Sequence, residues 1–195
     1  MIYDISQEML SCRVFPGDSQ PIIKRVNSIS NGDICNLTNI SMCAHNGTHI
    51  DAPFHFINEG KTLEKISLES FIGDCFVTHH NGDVSSSVAK EILKKAEKHG
   101  AKERILIGGT AVITADAALE FSKSKIKLIG NESQTVGPEN APMKVHLILL
   151  KEEIVLLEGL VLNHVPEGKY FLCAAPLNFA GCDGAPCRAI LITKD

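Results

Sequence analysis

The chain has 195 residues, of which 44% are hydrophobic and 22% charged, and its formal net charge is −4. This length and balance predict one globular domain over residues 1–195. Scattered basic residues argue against a nucleic-acid partner, and short apolar runs argue against a membrane span. The first residues lack the features of a signal peptide, and the seven cysteines form no CxxC pair. Together these observations indicate a cytoplasmic protein with reduced thiols.

Strand and helix signals follow one another along the chain. Two segments have helical spacing: one begins at a run of serines and ends at Gly100, and the other is capped by Thr114. Their alternation with apolar strands in the middle third favours a parallel α/β arrangement. The predicted elements are strands at 22–29, 37–43 and 76–80, a helix at 85–100, a strand at 105–107, a helix at 115–124, and strands at 126–130, 154–160, 170–174 and 188–193.

Four polar residues, His45, His49, Asp51 and His55, recur at odd positions within eleven residues. In an extended segment, alternation puts such residues on one face and the intervening apolar residues on the other. Imidazole and carboxylate donors suit Zn²⁺, Mn²⁺ or a similar divalent ion. The alternative is that these are unrelated core or surface residues. That explanation suffices for any one of the four but accounts poorly for all of them together.

The conformation between His45 and His49 decides whether they can share an ion. A straight strand would hold them ~13 Å apart, at about 3.3 Å per residue, whereas two donor atoms of one metal lie within ~4 Å of each other. Asn46-Gly47 is a strong turn dipeptide, so we predict a turn there. Three ligands, with Asp51 as the third, would leave a position open for water, as in catalytic metal sites.

A second candidate pair is formed by His146 and Glu158. A polar break at 151–153 separates two apolar runs, and a chain reversal there brings both residues to the same end of the pair. A buried carboxylate needs a partner, which favours contact between the two. The residues alone leave open an exposed histidine with an unrelated glutamate, and either a strand or a short helix for the first run.

The segment HNGTHIDAPFHF at 45–56 matches the pattern HxGTHxDxPxHF. This pattern resembles the signature of the cyclase-like metal hydrolases, a family that includes bacterial kynurenine formamidase and the isatin hydrolases. FPGD at 15–18, IKLIG at 126–130, LEGL at 157–160 and GCDGAPCRAIL at 181–191 fall in the family's order. The resemblance implies a swivelling β/β/α domain, in which helices pack against a mixed sheet, assembled as a homodimer or homotetramer.

The same resemblance implies a site with two divalent ions per subunit, Zn²⁺ as the first choice and Mn²⁺ as the second. His45, His49 and Asp51 would hold one ion. Asp51 would bridge to a second ion, which His146 and Glu158 would also hold, and His55 would be the acid/base residue. The resemblance also favours a short helix at 143–152, and Thr48 and Asn36 are candidates to support the ligands through hydrogen bonds. The implied metal ligands are His45, His49, Asp51, His146 and Glu158.

The implied reaction is hydrolysis of an amide-type C–N bond in a small molecule, as when an arylformamidase converts N-formylkynurenine to kynurenine and formate. The chain departs from the formamidases around the pocket: an insertion that usually follows the segment ending at Gly109 is short, Trp is absent, and Phe15 replaces a larger aromatic residue. Two alternatives therefore stay open. One is a hydrolase or cyclase of cyclic amides or lactones on the same scaffold, and the other is a non-catalytic metal-binding relative.

Overall fold

Strands and helices alternate through the centre of the chain in the computed structural model, which describes residues 1–193. The predicted elements are confirmed, with ends that shift by up to four residues. The strands are β1 (Ile2–Asp4), β2 (Ile22–Asn27), β3 (Leu37–Ser41), β4 (His49–Asp51), β5 (Ile72–His79), β6 (Gly82–Val84), β7 (Arg104–Gly108), β8 (Ala111–Ile113), β9 (Leu128–Asn131), β10 (Val155–Glu158), β11 (Gly168–Cys173), β12 (Gly184–Pro186) and β13 (Ile190–Ile192). The helices are α1 (Ser86–Lys98), α2 (Ala115–Ser122) and α3 (Met143–Leu150).

Nine strands form one curled mixed sheet, in the order β1-β13-β11-β5-β7-β9-β10-β4-β12. The four strands from β5 to β10 in this order run parallel, and the strands on either side of them pair antiparallel. The predicted α/β class with a mixed sheet and packed helices is confirmed. The short strands without a sequence prediction (β1, β6, β8 and β12) have three residues each, too few for a periodic signal.

Both faces of the central strands are buried. On β7, Ile105 and Ile107 pack in the cluster that contains the apolar faces of the helices, while Leu106 lies in the cluster on the opposite face. Because each face is covered, these strands are continuously apolar rather than alternating. None of the helices within residues 1–193 has the length and apolar character needed to cross a bilayer.

The segment after β1 closes the curl of the sheet. Ser6 and Leu160 form an isolated antiparallel bridge, and the amide of Val161 donates to the carbonyl of Ile5 at 3.0 Å. Next to this bridge, the buried hydroxyl of Thr48 donates to the Gly159 carbonyl at 2.6 Å and accepts from the Gln7 amide at 2.8 Å. Thr48 therefore joins the N-terminal segment to the ends of β4 and β10.

Replacing Thr48 with Val keeps the shape of the side chain and removes its hydroxyl. A buried backbone carbonyl and a half-buried backbone amide lose a partner, so we expect the free energy of unfolding to fall by about 2 kcal/mol, measured by urea denaturation. Thr38→Val makes the same change at a half-buried position of β3, and should cost less than about 0.5 kcal/mol. Equal losses in both variants would contradict the anchoring role of Thr48.

Candidate metal centre

The centre begins with β4, which lies between β10 and β12 in the sheet. His49 is paired with Glu158 of β10, and Asp51 is paired with Leu156 of β10 and Gly184 of β12. The side chains of His49 and Asp51 point to the same face of the strand, as alternation predicts. Pairing between strands thus brings a carboxylate 109 positions away in the sequence alongside the histidine motif.

The predicted turn between His45 and His49 is confirmed. Gly47 lies in a bend between the two histidines with a φ of +64°, and the Asn46 amide, which donates to the Cys43 carbonyl at 3.3 Å, closes a further turn just before it. A left-handed φ is readily adopted by glycine and rarely by residues with a β-carbon. The turn brings the two imidazole rings to a centroid separation of 5.1 Å, where a straight strand would have kept them apart.

Asp51 lies at the centre of the cluster. Its Oδ1 is 2.7 Å from His45 Nδ1 and 3.3 Å from His49 Nε2, and its Oδ2 is 3.5 Å from His146 Nε2. Glu158 completes the group, with Oε1 at 3.2 Å from His146 Nε2 and Oε2 at 3.5 Å from His49 Nε2. The chain reverses at 151–153, between α3 and β10, so the predicted approach of His146 and Glu158 is confirmed.

Each histidine around Asp51 is held through its outer ring nitrogen. His49 Nδ1 donates to the Gly47 carbonyl at 2.9 Å, and His146 Nδ1 donates to the Pro142 carbonyl at 2.9 Å. These backbone acceptors require a proton on Nδ1, so Nε2 faces the cluster and can bind a metal ion once it has lost its own proton. Metal-binding histidines in proteins are oriented in this way by outer hydrogen bonds.

One oxygen at the centre has no hydrogen-bond partner among the described residues: Oδ2 of the buried Asp51. A buried, unpartnered carboxylate oxygen is costly, and a cation would satisfy it. Candidate donor atoms lie within 4.8 Å of one another in two groups that share Asp51. One group adds His49 and Glu158, and the other adds His45 and His55. The donor set therefore fits a divalent metal, and fold and site together define a class of α/β proteins with a buried metal centre.

This grouping differs in part from the ligand sets that the sequence implies. His45 is grouped with His55 rather than with His49. The rings of His45 and His55 stack with centroids 4.0 Å apart, while those of His45 and His49 are 5.1 Å apart. His49 Nε2 faces both Asp51 Oδ1, at 3.3 Å, and Glu158 Oε2, at 3.5 Å. All six predicted residues nevertheless lie in one cluster, and their assignment to individual ions stays a prediction.

Hydrogen bonds outweigh burial in setting the charges of the cluster. Burial lowers the pKa of His45, but bonds to Asp183 and Asp51 raise it to about 9. Burial likewise lowers the pKa of His146, and Asp51 and Glu158 raise it to about 10. Burial raises the pKa of Asp51, yet the surrounding histidines hold it well below its usual range. Without a cation, protons on the imidazoles balance the buried carboxylates.

A cavity of about 250 Å³ opens onto the cluster. His55 stands in its wall with a side chain that is 27% exposed, at the end of a short 3-10 turn over Pro53–His55. The rings of Phe15 and Phe56 supply apolar wall, and Asp18 adds a carboxylate. The cavity can therefore admit a small molecule that has an apolar portion and reaches the metal-binding atoms.

Asp183 belongs to the site and was not predicted. Its Oδ2 lies 2.9 Å from His45 Nε2 and 3.1 Å from His55 Nδ1, and the bond to His45 holds the pKa of this carboxyl well below its usual range. The residue is part of GCDGAPCRAIL, so the motif contained it without indicating a role. The prediction that Asn36 supports the metal ligands is wrong, because Asn36 is exposed and accepts from the Ile29 amide in the β2–β3 hairpin.

Comparisons with known proteins agree with the class that the fold and site define. The family described as "Putative cyclase" matches residues 3–138. A kynurenine formamidase of Erythrobacter litoralis (strain HTCC2594) is 33% identical over 204 aligned residues, covering 97% of this chain and 93% of that protein. A kynurenine formamidase of Bacillus anthracis is also 33% identical, covering 96% and 95%. The chain belongs to this cyclase family, and its full-length likeness to these enzymes indicates a hydrolase.

Solved structures support the same class of protein. A protein described as a potential metal-dependent hydrolase with cyclase activity superposes with a TM-score of 0.83 at 27% identity, covering 100% of this chain and 98% of that one. A protein described as a predicted metal-dependent hydrolase from Bacillus stearothermophilus gives 0.79 at 25% identity, covering 98% and 97%. Isatin hydrolase A from Labrenzia aggregata gives 0.84 at 20% identity over 100% and 94%, and shares the fold.

Metal binding to this cluster should release protons. With pKa values of about 9 and about 10, His45 and His146 carry protons at pH 7 that a cation must displace. Burial lowers the pKa of His49, but its bonds to Asp51 and Glu158 raise it well above its usual value, so His49 carries a third such proton. We expect about three protons to be released per chain, measured by calorimetric titration with Zn²⁺ in buffers of different ionisation enthalpy, and an affinity that rises from pH 6 to pH 9. A binding enthalpy independent of buffer would contradict this assignment.

The stability of the metal-free protein should fall as the pH rises, whereas its metal affinity rises. Because the folded pKa values lie above the ordinary value of 6.5, the protonated histidines stabilise the fold. This contribution is fully present below pH 6.5 and is lost as the pH rises through about 9 to 10. Thermal unfolding of the chelator-treated protein across this range measures the change.

Proposed function

We propose that this protein is a metal-dependent hydrolase of amide-type C–N bonds in small molecules, with arylformamides as the substrate class. The observation that carries the proposal is the buried Asp51 carboxylate, whose unpartnered oxygen lies among imidazole and carboxylate donors at the floor of a cavity. The likeness of the whole chain to kynurenine formamidases supports the choice of bond.

We propose that the protein binds two divalent ions, Zn²⁺ or else Mn²⁺, both of which accept nitrogen and oxygen donors. Asp51, with one oxygen towards His49 and the other towards His146, is suited to contact both ions. When bound, such ions lower the pKa of water to about 7 and polarise a carbonyl oxygen. The proposed ligands are His45, His49, Asp51, His146 and Glu158.

The residues of the chain account for the movement of protons. His55 has its Nδ1 against Asp183 Oδ2 at 3.1 Å, so its Nε2 is free to face the cavity and lies 4.0 Å from Asp51 Oδ2. We assign to this Nε2 the transfer of a proton from the attacking water to the leaving nitrogen. Water thereby adds hydroxide to the carbonyl carbon and a proton to the nitrogen as the C–N bond breaks.

The cavity walls favour a substrate with a flat apolar portion. Phe15 and Phe56 line the cavity beside His55, and the ring of Phe56 meets that of His55 edge-on at 4.5 Å between centroids. Aromatic rings commonly pack in this way against other aromatic groups. An aryl group placed there would hold its amide against the metal-binding atoms.

Further properties follow from the family and stay part of this proposal. We propose that residues 1–195 act as one cyclase-like domain, that the active form is a homodimer or homotetramer, and that it works in the cytoplasm. Exposed apolar side chains on the β2–β3 hairpin, among them Ile22, Ile23 and Ile40, suit burial between copies.

The proposal is tested by measuring metal content and activity together. Purified protein supplied with Zn²⁺ or Mn²⁺ should bind the ion stoichiometrically and release formate from N-formylkynurenine or formanilide, and removal of the metal by a chelator should abolish release. Isatin and simple lactones, assayed in parallel, test the alternative of a cyclic substrate. A protein that binds neither ion, or that loads fully and cleaves no amide, would refute the proposal.

Replacing His55 with Ala removes the proposed proton carrier. We expect kcat to fall by about 100- to 10,000-fold, while metal content stays at the wild-type value because the proposed ligands are intact. His164→Ala, at an exposed histidine outside the cavity lining, is the matched control and should keep wild-type kcat. Undiminished turnover in His55→Ala would remove its assigned role, whereas loss of metal would identify His55 as a ligand.

A further inference from the structure

A single carboxylate oxygen joins two histidines with different proposed roles. Oδ2 of Asp183 lies 2.9 Å from Nε2 of His45 and 3.1 Å from Nδ1 of His55. The two rings stack with centroids 4.0 Å apart and an interplanar angle of 29°. Asp183 therefore contacts the edge of a stacked pair rather than one isolated ring.

The contacts of Asp183 fix which nitrogen of each ring faces the centre. An ionised carboxylate only accepts hydrogen bonds, so both ring nitrogens that face it must carry hydrogen. In His45 the remaining nitrogen, Nδ1, lies 2.7 Å from Asp51 Oδ1, and in His55 the remaining Nε2 lies 4.0 Å from Asp51 Oδ2. Both inner nitrogens thus point to the carboxylate with the unpartnered oxygen.

The backbone holds Asp183 in place independently of its side chain. Its carbonyl accepts from the Ala52 amide at 2.8 Å, next to the strand that carries the histidine motif. The following residue, Gly184, pairs with Asp51, and a β-carbon there would come within 2.6 Å of the His45 ring. On the other side, Glu64 accepts from the Gly181 amide at 2.9 Å. A change confined to the Asp183 carboxylate therefore leaves the loop anchored.

We propose that Asp183 is the positioning residue of this site, which orients His45 for metal binding and His55 for proton transfer through one shared oxygen. This inference rests on the proposed function for the role of His55, while its claim about His45 concerns metal affinity alone. Outer carboxylate partners of ligand histidines fix the tautomer and ring orientation. Sharing one such partner couples a metal ligand to the proton carrier.

The experiment compares Asp183→Ala and Asp183→Asn with the wild type. Zn²⁺ affinity is measured by competition with a chromophoric chelator, and the histidine tautomers of the Zn²⁺-loaded protein by ¹⁵N NMR. We expect affinity to fall by about 10- to 100-fold in Asp183→Ala, with a smaller fall in Asp183→Asn, whose amide oxygen still accepts a hydrogen bond. In the wild type, His45 should carry its proton on Nε2, and this preference should weaken in both variants.

Kinetics give a second measurement. At saturating Zn²⁺, kcat for the formanilide substrate should fall in both variants while KM changes little, because Asp183 does not line the cavity wall. Glu64→Gln is the control: it weakens the anchor of the same loop without touching either imidazole, and it should keep wild-type affinity and tautomers. Matching losses in Glu64→Gln and Asp183→Ala would assign the effect to the loop and overturn the proposal.

The outcomes separate this inference from the proposed function. One outcome is that the wild-type protein cleaves no amide, while Asp183→Ala has reduced Zn²⁺ affinity and altered tautomers. This result would refute the hydrolase proposal and support the orientation of His45 by Asp183. Wild-type protein that cleaves the amide, with affinity, tautomers and kcat unchanged in both variants, would sink the role of Asp183 alone. The side chain of Asp183 is 42% exposed, so both variants should fold, which thermal unfolding checks.

Discussion

The organisation of the site depends on one buried negative charge. Asp51 is 1% exposed, lies at the end of β4, and keeps one oxygen without a hydrogen bond while histidines surround it. Two buried carboxylates, Asp51 and Glu158, face the same small volume, and like charges at this distance need positive charge between them. Protons on the imidazoles or divalent cations can supply this positive charge. The cluster is therefore either a set of protonated histidines around two carboxylates or a metal centre.

The sheet supplies the geometry that this charge requires. β4 is only three residues long, yet it is paired on both sides, by β10 and β12. Each neighbour brings one acidic residue to the centre: Glu158 ends β10, and Asp183 immediately precedes β12. The histidine motif therefore provides the core of the cluster, and the strands beside it provide the residues that complete and orient it.

The parts of this site that are local in sequence could be predicted, and the parts that depend on strand pairing largely could not. The turn at Gly47 and the common direction of His49 and Asp51 follow from a turn dipeptide and from alternation. The approach of His146 and Glu158 follows from one chain reversal across 151–153. Asp183 contacts His55 across 128 positions, and only the pairing of β12 with β4 makes that contact. A three-residue strand has no period by which the sequence could indicate it.

The curl of the sheet couples metal binding to the stability of the fold. Segments near residues 45–55, 146–158 and 183 meet only after β10 and β12 have docked on β4, so an unfolded chain offers no comparable chelate. An ion that binds the native state alone adds about 2.7 kcal/mol of stability at a free concentration 100 times its dissociation constant. A shortage of the ion would then shorten the lifetime of the protein as well as remove its activity, so the amount of the protein would depend on the supply of the metal.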